Sequence, residues 1–161
     1  MFRTNKAHPW HGIPIGEKVP NEVTVFIEIV PRDTVKYEVD KETGYLKIDR
    51  PQQYSNVVPA NYGFIPQTYC GENIAKLATK NSGKPIELGD GDPLDILVLS
   101  EHHIPRGDII LKAKPIGGFC LIDVRLTIKL LPRWLAIKFT KTSRTFPNSL
   151  KPSSIVYNII F

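Results

Sequence analysis

The sequence has little cysteine and no long apolar segment, and both absences exclude classes of protein. Cys70 and Cys120 are its two cysteines, too few for a structural zinc site. No stretch approaches the roughly 18 consecutive apolar residues that a membrane-spanning helix requires. The first residues, Met-Phe-Arg-Thr-Asn-Lys, turn polar at once and do not form an apolar signal segment. We therefore expect reduced thiols, a cytoplasmic location and no membrane partner.

Acidic residues are also absent after Asp123, although the overall charge content is ordinary. Residues 1–123 hold 14 Lys and Arg against all 16 acidic residues, which gives a net charge of −2. Residues 124–161 hold the other 7 basic residues and no acid, which gives +7. A basic tail of this kind is typical of nucleic-acid-contacting arms. Composition thus predicts one domain over residues 1–123 and a basic tail of uncertain structure over 124–161.

Short β-type runs, separated by turn residues, occupy much of the first 123 residues. The predicted strands are Val23–Ile29, Val35–Val39, Tyr45–Ile48, Leu94–Leu99, Ile109–Ala113 and Phe119–Ile122. Lys41-Glu42-Thr43-Gly44 predicts a hairpin connection. Residues 59–66 are interpreted as an apolar turn, and the polar residues 71–89 as a surface excursion. Many short strands with frequent turns favour a small antiparallel barrel or sandwich.

Three carboxylates, Asp90, Asp92 and Asp95, stand close together in the segment GDGDPLD. Their mutual repulsion favours a hard divalent cation, and oxygen ligands favour magnesium, calcium or manganese over zinc. An EF-hand calcium loop also begins with D-x-D, but Asp95 stands at its sixth position, where glycine is required. A purely structural acidic turn is the other alternative.

Cationic side chains precede this cluster. Lys36 and Glu38 lie on one predicted strand, and Arg50 ends the next. If the two strands form a hairpin, all three side chains can point toward the entrance of one binding site. Lys and Arg both donate to phosphate oxygens, Arg bidentately. Taken singly, each cation is more typical of a solvated strand, and Tyr62 is more typical of core packing. Jointly with the carboxylates they indicate a site for phosphoryl transfer.

The ordered segments IEIVPRDTVKYEVDKETGYLKIDR, PANYGFIPQT, GDGDPLDILVLSE and KPIGGFCLID resemble family I soluble inorganic pyrophosphatases over residues 8–123. The resemblance implies a mainly β, OB-like five-stranded barrel, with the C-terminal helical part of the family missing or disordered here. It implies hydrolysis of pyrophosphate to two phosphates, with several Mg²⁺ ions as cofactors and Mn²⁺ as the alternative. It also implies a cytoplasmic homo-oligomer.

The same resemblance implies roles for particular side chains. The implied metal ligands are four carboxylates: Asp90, Asp95, Asp123 and Glu28. The implied catalytic residues are Asp92, as general base, and Tyr62, as the phenol beside it. The implied substrate-binding residues are Lys36, Arg50, Tyr62 and Glu38. Val58 departs from the pattern, because many members have tyrosine before this proline and valine cannot make the polar contact of a tyrosine.

The resemblance stops after Asp123. There the family has a segment like GEADDK, with a metal-bridging Asp and a phosphate-binding Lys, whereas residues 124–132 read VRLTIKLLP. The nucleotides GGTGAGGCTGACGATAAAATTATTGCC encode GEADDKIIA in one frame and VRLTIKLLP when read one base later. Residues 155–161 fit the family's last helix with the same offset. We therefore interpret residues 124–161 as out-of-frame sequence, and expect severely reduced activity.

Two other functions compete with this interpretation. OB-like barrels bind single-stranded nucleic acid with a basic groove and stacking aromatics, and the tail contains Trp134, Phe139 and Phe146. The net acidic charge of the preceding domain argues against this function, so no nucleic-acid partner is expected. An inactive partner of intact pyrophosphatase subunits is the third hypothesis, supported only by the missing residues.

Overall fold

The computed structural model describes residues 6–52, 58–83, 85–118, 121–122, 130–131 and 136–139. These residues form nine strands and one helix. The strands are β1 (Val23–Ile29), β2 (Val35–Val39), β3 (Leu46–Pro51), β4 (Asn61–Ile65), β5 (Leu94–Ser100), β6 (Ile109–Pro115), β7 (Leu121–Ile122), β8 (Leu130–Leu131) and β9 (Ala136–Phe139); the helix is α1 (Glu72–Ser82). No helix within these ranges has the length and hydrophobicity to cross a membrane.

Five strands close into a barrel in the order β1-β4-β5-β9-β6, which confirms the predicted small five-stranded barrel. Four neighbouring pairs are antiparallel, and β5 pairs with β9 in parallel. A closed ring with an odd number of strands cannot alternate direction throughout. At least one parallel pair is therefore a geometric requirement, which the prediction of an antiparallel barrel did not include.

Strand β1 is buried on both of its faces, because it lies between the barrel interior and an outer layer. One face belongs to a cluster that includes Val23, Val25, Ile27, Ile65, Ile96 and Val98. The opposite face places Phe26 against Phe64, with ring centroids 5.4 Å apart, beneath Trp10 and Val39. Each fully buried side chain of this size contributes about 1.5–3 kcal/mol. This double burial explains why the strand is apolar nearly without interruption.

The outer layer is the hairpin of β2 and β3, which pairs Lys36 with Arg50 and Val39 with Leu46. Its turn is closed by a hydrogen bond of 2.8 Å from the Gly44 amide to the Asp40 carbonyl. The hairpin predicted around Lys41-Glu42-Thr43-Gly44 is therefore present. Because its sheet is separate from the barrel, it can form one wall of a cleft above the barrel strands.

The segment 59–66, predicted to be an apolar turn, contains barrel strand β4, and the prediction was wrong. The strand pairs with both β1 and β5. Its central residue is Gly63, where an added Cβ atom would lie 1.8 Å from the Phe26 carbonyl oxygen. Glycine is normally depleted in strands, so a strand that requires it for close backbone approach resembles a turn in sequence.

The segment 71–89, predicted to be a polar surface excursion, contains helix α1. The helix buries Ala75 and Ala78 in a small cluster with Ile86. It ends at Gly83, whose left-handed conformation has a φ of 68°. Alanine contributes little apolar area, so the buried face produces only a weak hydrophobic periodicity.

The basic tail contributes β8 and β9, and β9 completes the barrel between β5 and β6. The described barrel thus extends beyond the boundary predicted at residue 123. The rest of the tail, including Trp134 and Phe146, lies outside the described residues. The interpretation of residues 124–161 as a separate, out-of-frame segment stays a prediction.

Candidate active site

A cleft of about 400 Å³ lies between the hairpin and the barrel. Its lining combines three kinds of side chain. The cations are Lys36, Lys41 and Arg50. The carboxylates are Glu28, Glu38, Asp49, Asp92 and Asp95. The remaining side chains are Trp10, Val39, Tyr62, Phe64 and Pro93. Of the predicted site residues that the structure describes, all except Asp90 therefore line one cleft.

The cations come from the hairpin. Lys36 and Arg50 are cross-strand partners, and Asp49 connects their charges. The Lys36 Nζ atom lies 3.1 Å from Asp49 Oδ2, and Arg50 Nη1 lies 2.6 Å from the same oxygen. Lys36 Nζ also lies 3.3 Å from Glu38 Oε2. These contacts hold two positive groups side by side at the mouth, as binding of a polyanion requires.

The pKa values of this group agree with its geometry. Burial alone would lower the pKa of Lys36, but its hydrogen bonds and attraction to Asp49 and Glu38 raise it overall. The hydrogen bond from Lys36 lowers the pKa of Asp49. Lys36 therefore stays positively charged, and Asp49 stays negatively charged, at neutral pH.

The barrel strands supply the opposite wall. Burial, followed by repulsion from Asp90 and Asp92, raises the pKa of Asp95 to about 7, although a hydrogen bond with Tyr62 opposes the shift. Burial raises the pKa of Glu28 to about 8, against a 2.7 Å hydrogen bond from the Val39 amide. Both pKa values are raised mainly by burial, which the attraction of Lys36 to each carboxylate offsets only in part.

A divalent cation fits this donor set. The available groups are carboxylate oxygens, the ligands that Mg²⁺ prefers, and added positive charge would stabilise their ionised forms. Among the described residues, however, no three acidic, histidine or cysteine side chains form a ready-made metal cluster. Asp123, one of the predicted ligands, lies outside those residues. The assignment of Asp90, Asp95, Asp123 and Glu28 as metal ligands stays a prediction.

Backbone hydrogen bonds fix the loop that carries Asp90 and Asp92. The Cys70 amide donates to the Asp92 carbonyl at 2.8 Å, and the Gly91 amide donates to the Cys70 carbonyl at 3.0 Å. The Asp92 amide donates to Asp90 Oδ1 at 3.0 Å. Gly91 has a φ of 72°, in the left-handed region that glycine adopts without strain. The loop thereby directs Asp92 into the cleft, whereas Asp90 does not line it.

Sequence reasoning did not identify Lys41, Asp49 or Trp10 as parts of the cleft. Lys41 forms a salt bridge with Asp92, and its Nζ atom lies 5.8 Å from the centroid of the Trp10 ring. The hydrogen bond that Lys41 donates to Asp92 is the main cause of the raised pKa of Lys41. A lysine in a hairpin turn usually faces solvent, so its sequence position gave no indication of this contact.

Comparisons with known proteins agree with this architecture. A sequence model of the family described as inorganic pyrophosphatase matches residues 25–129, and thus extends past Asp123. The chain is 49% identical over 117 residues to an inorganic pyrophosphatase of Chlamydia trachomatis, covering 73% of this chain and 56% of the relative. The chain therefore spans about half the length of the curated relatives it matches.

Solved structures give the same result. The chain matches the inorganic pyrophosphatase of Thermus thermophilus with a TM-score of 0.61 at 26% identity, covering 85% of this chain and 64% of that one. It matches the enzyme of Ehrlichia chaffeensis with a TM-score of 0.55 at 32% identity, covering 80% and 66%. The chain thus shares the small barrel fold of these structures, and its cleft is lined by both cations and carboxylates. The family match over most of the chain shows that it belongs to the inorganic pyrophosphatase family.

Proposed function

We propose that this chain carries the anion- and metal-binding part of a magnesium-dependent hydrolase that cleaves pyrophosphate into two phosphates. The observation that carries the proposal is that one cleft is lined by the cations Lys36 and Arg50 together with the carboxylates of the GDGDPLD segment, Asp92 and Asp95. Pyrophosphate is compact and highly charged, so it requires several cationic groups within a short distance. The family assignment supports the same substrate.

The carboxylates Asp90, Asp95, Asp123 and Glu28 would hold Mg²⁺, with Mn²⁺ as the alternative ion. Mg²⁺ supplies neutralisation of the substrate charge and lowers the pKa of a bound water. The raised pKa values of Asp95 and Glu28 support this assignment, because each carboxylate lies where positive charge would favour its ionised form.

In this mechanism Lys36 and Arg50 bind the phosphate oxygens and orient the anion in the cleft, with Glu38 holding the Lys36 ammonium in place. Asp92 accepts a proton from the attacking water as the oxygen of that water bonds to one phosphorus atom. The bond from that phosphorus to the bridging oxygen breaks, and the second phosphate leaves with the electron pair. Tyr62 donates a hydrogen bond to Asp95 and so holds the carboxylate beside the base.

The activity of this chain is reduced in our proposal, because residues 124–132 replace a segment that contributes metal- and phosphate-binding side chains in the family. We further propose a cytoplasmic homo-oligomer with no nucleic-acid partner. The acidic wall of the cleft, which repels a phosphate backbone unless metal is bound, supports a small anionic substrate.

We expect Asp92→Asn to lower magnesium-dependent phosphate release from pyrophosphate by at least about 10²-fold, because the amide cannot accept the proton. The measurement is a radiolabelled phosphate assay with long incubations, run with Mg²⁺ and with a chelator. Asp108→Asn is the matched control. Asp108 is also part-exposed and paired with a lysine, at 2.5 Å from Lys6, but does not line the cleft. Equal release by the Asp92 variant, or release unaffected by the chelator, would contradict the proposal.

A further inference from the structure

We infer that Lys41 is a tethered counter-cation of Asp92, which a divalent cation entering the cleft displaces. The inference rests on the proposed function only in requiring that the cleft binds divalent cations. It gives Lys41 a positioning role: in the metal-free chain the ammonium holds Asp92, and on metal binding the divalent cation takes over the compensation of this carboxylate.

The contact crosses the cleft. Lys41 lies in the hairpin turn, between β2 and β3, whereas Asp92 lies in the loop before β5. Their side chains nevertheless form a salt bridge between Nζ and Oδ1. The lysine side chain is 51% exposed and the aspartate side chain 37% exposed. A half-exposed pair contributes little stability, so the bond can be exchanged at small cost.

The lysine backbone, in contrast, is held in place. The Lys41 carbonyl lies 3.2 Å from His8 Nε2, and Gly44 packs against the rings of His8 and Pro9. Trp10 continues the same segment and donates from Nε1 to the Thr68 carbonyl at 2.8 Å. The N-terminal segment thus connects the hairpin turn to Thr68. Thr68 in turn accepts a hydrogen bond from the Leu94 amide, just after the loop that carries Asp92. The ammonium stays near Asp92 whether or not it is bound to it.

Charge balance favours exchange over permanent pairing. Asp92 shares its surroundings with Asp95, Glu28 and Glu38, and Lys36 is already engaged by Glu38 and Asp49. Lys41 is therefore the cation that compensates Asp92 when no metal is present. A divalent cation carries twice the charge and suits carboxylate oxygens better. Its arrival releases the ammonium, which then remains within reach of an anion at the mouth.

The hairpin offers a matched control for a direct test. Lys47 is 53% exposed and forms one salt bridge, at 3.0 Å with Asp40, but it does not line the cleft. Calorimetric titration of Mg²⁺ into the full chain is compared for wild type, Lys41→Met, Lys41→Arg and Lys47→Met. Removal of the competing ammonium is expected to lower the Mg²⁺ dissociation constant about two- to fivefold in Lys41→Met. Lys41→Arg and Lys47→Met are expected to stay close to wild type.

A second readout follows the ammonium itself. Mg²⁺ is expected to shift the Lys41 Nζ signal in nitrogen-detected NMR and to leave the Lys47 signal in place. If Mg²⁺ binding became equally tight in Lys47→Met, the effect would be explained by long-range charge alone. If Mg²⁺ binding were unchanged or weaker in Lys41→Met, competition between the ammonium and the metal ion would be excluded. Either result overturns the inference while the proposed function stands. Failure of the wild-type chain to bind Mg²⁺ at all would overturn both.

Discussion

Restoring the reading frame after codon 123 is expected to raise magnesium-dependent phosphate release by at least about 10²-fold. The restored segment GEADDK would bring back an aspartate that bridges metal ions and a lysine that binds phosphate. Loss of a single group that stabilises transition-state charge typically costs about 10²–10³-fold in rate. The loss of two such groups need not be additive, so the expected gain is given as a lower bound.

The comparison requires two genes that differ by one base near codon 124, expressed and purified in parallel. Phosphate release is measured with saturating pyrophosphate and Mg²⁺, and Asp92→Asn in the restored gene serves as the inactive control. If the nucleotide sequence after codon 123 cannot encode GEADDK in a second reading frame, the frameshift hypothesis is wrong. Rates equal to those of full-length relatives in the unrestored chain would contradict the expected impairment.

Gly63→Ala is expected to prevent the chain from folding. A Cβ atom at this position would lie 1.8 Å from the carbonyl oxygen of Phe26 and 2.9 Å from the Cα atom of Ile27. These are backbone atoms of the central barrel strand, so no side-chain rotation relieves the overlap. The two strands would have to separate, at a cost above about 4 kcal/mol, which is a large part of the stability of a small domain. The measurement is urea denaturation followed by circular dichroism.

Gly117→Ala is the matched control, because an added Cβ atom there meets no atom of the described residues within 4 Å, apart from its chain neighbours. Its free energy of unfolding is expected to change by less than about 0.5 kcal/mol. A Gly63→Ala protein with the wild-type unfolding midpoint would show that β1 and β4 are not packed as described.

The parts of the fold that could be predicted from the sequence are those with strong local patterns. β1 is a mainly β-branched run, and the two strands of the hairpin are separated only by a short turn with Gly44 at a φ of 74°. β4 could not be predicted, because its central glycine is required by a contact with a distant strand. Helix α1 was missed because its buried face is mainly alanine.

The same distinction applies to the cleft. Lys36, Arg50 and the aspartates of GDGDPLD were identifiable because their chemistry is unusual when taken together. Lys41 and Asp49 were not, because a lysine in a turn and an acid at the end of a strand are typical of solvated surfaces. The contact of Lys41 with Asp92 results from packing of the hairpin over the barrel, whereas Asp49 contacts its neighbour Arg50 within β3.

The central claim is that the hairpin cations and the carboxylate wall act together on one diphosphate anion. The most direct test is calorimetric titration of imidodiphosphate, a non-cleavable analogue, into the chain with Mg²⁺ and with a chelator. We predict binding only with Mg²⁺, weakened about tenfold or more by Arg50→Gln and unchanged by Arg106→Gln, whose side chain is exposed outside the cleft. Equal affinity without divalent cations, or after loss of the Arg50 guanidinium, would contradict the claim.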